Sequence, residues 1–161
     1  FERAVALNPG DEQAIYNLGT IYLRLGRPYE ASVRFERALA LQPRDVRALT
    51  NLGAAHVRLG DLAGAETVFA KTLSIVPKDN TVRCNLAMVV FKEHKWVEAV
   101  EQLATAIRTN PSDPNPYYFF GLIDGEMGAR EAAIQMLQKA VRLKPDYVQA
   151  QTKLKELVHE K

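Results

Sequence analysis

The chain has 161 residues, enough for one domain with a buried core. Its 21 lysines and arginines nearly balance 19 aspartates and glutamates, and the net +2 is too even for the clustered basic face of a nucleic-acid binder, so no nucleic acid is expected as a partner. Apolar stretches such as Leu86 to Phe91 and Tyr117 to Ile123 fall short of the roughly 18 residues that span a bilayer, which argues against membrane insertion; the lone Cys84 excludes an internal disulfide and leans toward the cytoplasm, with the periplasm as alternative.

In chain order, Phe1, Ala4 and Val5 read as the end of a helix that stops before Pro9 and lacks its packing partner. Because the chain opens on Phe1 rather than methionine, the native protein is expected to continue upstream. Asp11 follows Pro9 by two residues and precedes an amphipathic run, the place of an N-cap carboxylate that accepts the free amide hydrogens of a first turn. Gly26 suits the left-handed residue that ends such a helix. A second helix then runs to Pro43, which lacks an amide hydrogen and restricts the residue before it. The same order recurs with Asp45, Gly60 and Pro77, with Asp79, His94 and Pro111, and with Asp113, Gly128 and Pro145. Pro114 and Pro116 fall in a first helical turn, where missing amide hydrogens cost nothing. Val148 to Lys161 closes the chain as a helix whose Gln151, Lys155 and His159 make one face polar where a further hairpin would pack.

Pro9, Pro43, Pro77, Pro111 and Pro145 are spaced by 34 residues throughout, the kind of fixed period that marks stacked repeats. On that register small residues recur at Gly19, Gly53, Ala87 and Gly121, and again at Ala31, Ala65, Ala99 and Ala133. Large apolar residues recur at Leu18, Leu52, Leu86 and Phe120 and at Phe1, Phe35, Phe69, Leu103 and Leu137. Small positions let paired helices approach closely and large ones fill the space around the contact, while burial of the whole face needs stacked neighbours.

In repeat length and in these small and large columns the chain resembles the tetratricopeptide-repeat family. The resemblance implies an all-α fold, an α–α superhelix or solenoid of antiparallel helix hairpins, forming one array over 1–161. Its divisions would be the end of a truncated repeat at 1–11, full repeats at 12–45, 46–79, 80–113 and 114–147, and a solvating helix at 148–161. Two departures stand out. The column that the family fills with a tyrosine-like residue reads Tyr22, His56, Val90 and Asp124, and Gly125 follows that carboxylate inside a helix, so the fourth repeat is expected to be the loosest.

In this family the first helices line a concave groove, so the resemblance implies that residues along their exposed stripe bind a protein or peptide partner. The stripe carries Asn17, Asn51 and Asn85, followed in the fourth repeat by Phe119. A carboxamide both donates and accepts, and helices about 10 Å apart would meet an extended peptide at roughly every third residue. Arg24, Arg58 and Lys92 stand two turns further along and make one rim basic, suited to carboxylates or phosphates. Arg47 lies in the neighbouring row with Gln13, Thr81 and Asn115, and Tyr16, Thr50, Cys84 and Tyr118 flank it. Tyr118 and Phe119 are expected to turn toward the groove while Tyr117 and Phe120 face the core.

Catalytic chemistry has no footing here. His56, His94 and His159 lie in separate hairpins, one cysteine makes no zinc set, and Asp124 and Glu126 do not face each other on a helix, so neither an enzyme nor a cofactor or metal site is expected. A scaffold or adaptor that holds an extended peptide in the groove is the leading reading. The alternatives are a substrate-recruiting arm of a larger enzyme such as a glycosyltransferase, because O-linked N-acetylglucosamine transferases carry a similar asparagine row, and self-association through the N-terminal helix. A clamp for a chaperone's terminal carboxylate is set aside, since Tyr16, Thr20, Thr81 and Asn85 stand where lysine, asparagine and arginine would be required.

Overall fold

A computed structural model describes residues 8–159. Phe1, Ala4 and Val5, and with them the suggested self-association surface, lie outside the described residues. Among the described residues the chain is all α-helical. The helices are α1 (Glu12–Arg24), α2 (Pro28–Leu41), α3 (Val46–Leu59), α4 (Leu62–Ile75), α5 (Asn80–Lys92), α6 (Trp96–Thr109), α7 (Pro114–Glu126), α8 (Arg130–Leu143) and α9 (Val148–His159). None of them is long and apolar enough to cross a membrane.

The helix ends obey the local chemistry of the repeat. Asp11 accepts from the Ala14 amide at 2.9 Å, Asp45 from Arg47 at 2.8 Å, Asp79 from Val82 at 3.1 Å and Asp113 from Asn115 at 2.9 Å. Each cap satisfies an amide that the first turn leaves unpaired. Asp61 caps α4 in the same manner through the Gly64 amide at 3.0 Å. Gly26, Gly60 and Gly128 turn the chain with φ of 71°, 78° and 78°, and His94 does so at 62°. A left-handed residue with a β-carbon costs roughly 1 kcal/mol, and the His94 ring recovers contact by packing on Trp96 with centroids 5.0 Å apart. The second helices end two residues before the repeated prolines, and the pre-proline residues Gln42, Val76, Asn110 and Lys144 leave the helical region with φ between −126° and −147°.

The chain divides into two compact units, Phe1–Pro77 and Lys78–Lys161. In the first, α1 pairs with α2 and α3 with α4, and α2 also packs on α3. Its core gathers Ile15, Leu18, Tyr22, Ala31, Phe35 and Leu52. The helices of each pair close on a glycine and a ring: a β-carbon at Gly19 would stand 2.8 Å from Phe35 Cε1, and one at Gly53 2.5 Å from Phe69 Cε1. Both phenylalanines are fully buried.

In the second unit α5 pairs with α6 and α7 with α8, α7 packs on both α5 and α6, and α9 covers α8. The last hairpin and α9 share a core of Ala133, Leu137, Ala140, Ala150 and Leu157. Ala87 and Leu103 occupy the columns held in the first unit by glycine and phenylalanine, and both are buried. Gly121 instead abuts Leu137, whose Cγ lies 2.6 Å from where a β-carbon would stand.

Two of these positions give the same substitution opposite signs. Gly53→Ala drives a methyl into the Phe69 ring and is expected to lower stability by about 1–3 kcal/mol. At Gly125 a β-carbon would meet Ala133 Cβ and Leu157 Cδ1 at an ordinary 3.9 Å, so Gly125→Ala is expected to raise stability by about 0.5–1 kcal/mol through helix propensity. Urea unfolding of both variants beside the parent checks the pair.

Asp45 supplies a pH test. Burial raises its pKa, but bonds from the Arg47 side chain and the Arg47 and Ala48 amides outweigh it and hold the carboxyl below its ordinary value. Its stabilising contribution is therefore complete above the unfolded-state carboxylate range and lost as pH falls through the folded value. Asp45→Ala should cost about 1 kcal/mol at neutral pH, and the gap between parent and variant in denaturant midpoint should close as pH falls below the carboxylate range.

Candidate functional site

Within the first unit, α1 carries Tyr16, Asn17 and Arg24, and α3 carries Arg47, Asn51 and Arg58. The asparagines and the tyrosine are half-buried, and the stripe is open to solvent on the first helices. Its side chains bond to one another. Gln13 Nε2 donates to Asn17 Oδ1 at 2.9 Å, and Arg47 Nη1 donates to Gln13 Oε1 at 3.1 Å. Asn51 Nδ2 donates to the Tyr16 hydroxyl at 2.9 Å, linking α3 to α1. The Arg58 guanidinium donates to the Leu23 carbonyl at the exposed end of α1. Arg24 takes no part in these bonds and projects exposed from the last turn of α1.

Arg47 is held from several directions. Its guanidinium lies 2.8 Å from Asp45 Oδ2 and 3.9 Å from Glu12 Oε2, and 4.8 Å above the Tyr16 ring. Burial raises the Glu12 carboxyl above its ordinary value, with Asp45 pushing the same way and Arg47 opposing. Arg47 thus serves the cap, the buried carboxylate and the ring together, which orients the tyrosine whose hydroxyl receives Asn51.

The second unit has a different character. Asn85 is half-buried and Lys92 exposed on α5, and Tyr118 and Phe119 are half-buried on α7. Tyr118 packs against Phe119 at 5.3 Å between centroids and against Tyr147 at 5.0 Å, and it lies on the core shared with α9. Tyr147 donates to Asn115 Oδ1 at 2.9 Å. Burial pushes the Tyr147 hydroxyl up to about 12 and raises that of Tyr118 as well. Tyr147 therefore stays a neutral donor at physiological pH.

Two expectations change on this unit. Cys84 does not project from the first-helix stripe but is fully buried, and burial pushes its thiol up to about 12, so it stays protonated. Tyr117 and Phe120, expected to face the core, are only half-buried and line an apolar pocket of about 460 Å³. Larger rings than the Ile15 and Leu18 of the first hairpin do not sink into the equivalent space. Tyr147 and the buried Asn80, which donates to the Ala106 carbonyl at 3.1 Å and to Asp113 Oδ2 at 3.0 Å, escaped sequence reasoning. Tyr147 was findable, because it breaks the column of Asp11, Asp45, Asp79 and Asp113.

Comparison with known proteins follows the same lines. No curated protein sequence matches the chain. Among solved structures, TTC0263, a thermophilic tetratricopeptide-repeat protein of Thermus thermophilus, superposes with a TM-score of 0.79 at 26% identity, over 91% of this chain and 80% of that one. YrrB, described as a tetratricopeptide-repeat protein with an unusual peptide-binding site, gives 0.72 at 25% identity, over 96% and 79%. MamA from Desulfovibrio magneticus RS-1 gives 0.71 at 27% identity, over 91% and 82%. The shared fold class is the all-α superhelix. Tetratricopeptide-repeat models match residues 16–80 and 114–147, together more than half the chain. Paired helices on a 34-residue period, aspartate caps, glycine-on-ring contacts and these matches agree, and the chain belongs to the tetratricopeptide-repeat family.

Proposed function

We propose that this chain is a protein-interaction scaffold, a single repeat array that holds an extended segment of a partner protein along the stripe of its first helices. The observation that carries the reading is the half-buried Asn51, fixed by one amide hydrogen on Tyr16 and still holding its carbonyl oxygen and second amide hydrogen for a guest. Asn17 keeps an analogous pair of donors, because its contact with Gln13 uses the oxygen. An extended backbone presents an alternating file of the complementary groups, so a row of carboxamides grips it with little regard to side chains. Selectivity then falls to the edge residues. Arg24 and Arg58 in the first unit, and Lys92 in the second, favour acidic or phosphorylated side chains. Tyr118 and Phe119 in the second unit favour an apolar or aromatic one. The similarity to YrrB, whose description includes a peptide-binding site, supports the same use of the fold.

The bonds within the stripe decide which variant tests this cleanly. Asn51→Ala and Arg58→Glu would each also remove a link between α1 and α3, whereas the hydrogen bond of Asn17 stays within its own helix and Arg24 is exposed. Peptides selected on the full chain from a displayed random library are expected to be rich in Asp and Glu. They should bind the Asn17→Ala, Arg24→Gln double variant about tenfold more weakly, while its melting temperature stays within about 2 °C of the parent. Equal binding to parent and variant, or no selectable peptide, overturns the proposal.

A further inference from the structure

One pocket of the second unit places a carboxylate among apolar walls. It opens between α6 and α8 above α7, with Ile107, Tyr117, Phe120 and Met136 forming apolar walls and Asp124 entering among them. Asp124 occupies the column of Tyr22, His56 and Val90. Tyr22 and Val90 are buried there, while Asp124 is half-buried and makes no ion pair with a described residue. Two cations are near. Arg108 lines the pocket but donates to Thr105 Oγ1 at 2.7 Å, and Lys139 sits 5.8 Å from the Tyr117 ring. Neither offsets the carboxylate: burial raises its pKa with no opposing charge. A carboxylate held among aromatic and aliphatic walls, without an ion-pair partner of its own, is poorly placed for the free protein and well placed for a guest cation with an apolar stem.

We propose that this pocket receives an arginine side chain of a partner protein, its guanidinium paired with Asp124 and its plane and stem laid against Phe120, Tyr117 and Met136. Arginine fits better than lysine. A planar, weakly hydrated guanidinium stacks on a ring face and pairs with a carboxylate through two parallel bonds, whereas an ammonium must shed a firmly held hydration shell. The site is distinct from the first-helix stripe and uses the opening between two second helices.

The test uses capped arginine, Nα-acetyl-arginine N-methylamide, titrated into the full chain while the methyl resonances of Met136 and Ile107 are followed. Both are expected to shift in a saturable way, and the citrulline analogue, equal in shape but uncharged, should leave them in place. Asp124→Asn, nearly isosteric, should weaken the interaction about tenfold. Phe120→Leu, which installs the residue found at Leu18, Leu52 and Leu86, should weaken it by loss of the stacking surface while preserving the fold. Equal shifts with citrulline, or unchanged affinity in Asp124→Asn, overturn the assignment, as does the absence of any shift at Met136 and Ile107 in the parent.

Discussion

The contact on which each hairpin depends is the approach of a second-helix side chain to a first-helix residue too small to resist it. In the first unit this is ring on glycine, Phe35 over Gly19 and Phe69 over Gly53, with distances that leave no room for a methyl. Such a contact fixes both the separation of the paired helices and their rotation about their own axes. Once rotation is fixed, the direction of every other side chain follows. Ile15 and Leu18 turn inward, Tyr22 fills the far end, and Asn17 and Arg24 are left on the stripe. A binding surface is in this sense the remainder of a packing problem.

That dependence explains what could be read from the amino-acid order alone. The 34-residue spacing of prolines, the aspartate column and the small and large columns each encode a local rule, and the helices, their caps and their closing residues followed without reference to distant contacts. His94 was legible as a helix end even without being glycine, because it sits where Gly26, Gly60 and Gly128 do. The stripe residues were placed on the correct helices for the same reason. Their mutual bonds were not legible, since Asn51 to Tyr16 and Arg58 to Leu23 cross between helices, and periodicity carries no information on which neighbour a long side chain reaches. Cys84 misled for a related reason. Its column also holds Tyr16, Thr50 and Tyr118, which are all half-buried, while the apolar thiol at the same place is fully buried.

The two units use one architecture with different chemistry. The first has a polar stripe whose amides and guanidinium groups are oriented by Tyr16 and by one another. The second replaces that polarity with Tyr117 to Phe120, Tyr147 and a carboxylate in an apolar pocket. Repetition secures the fold, and departures from repetition mark the places where the surface has been differentiated. Asp124, Tyr147 and the consecutive aromatics are all departures of this kind, and they are concentrated in the last hairpin and the helix that follows it.

Trp96 adds an optical dimension to the asymmetry. It is the only tryptophan of the chain, it lies at the start of α6, and it stacks edge-on with Phe91 at 5.0 Å while remaining 42% exposed. Indole emission in this protein therefore originates wholly in the second unit and is sensitive to the α5–α6 turn, whereas the first unit contributes helical dichroism and no tryptophan signal. The molecule thus carries an intrinsic label on one half, so that emission reports on the second unit alone while helical dichroism reports on both.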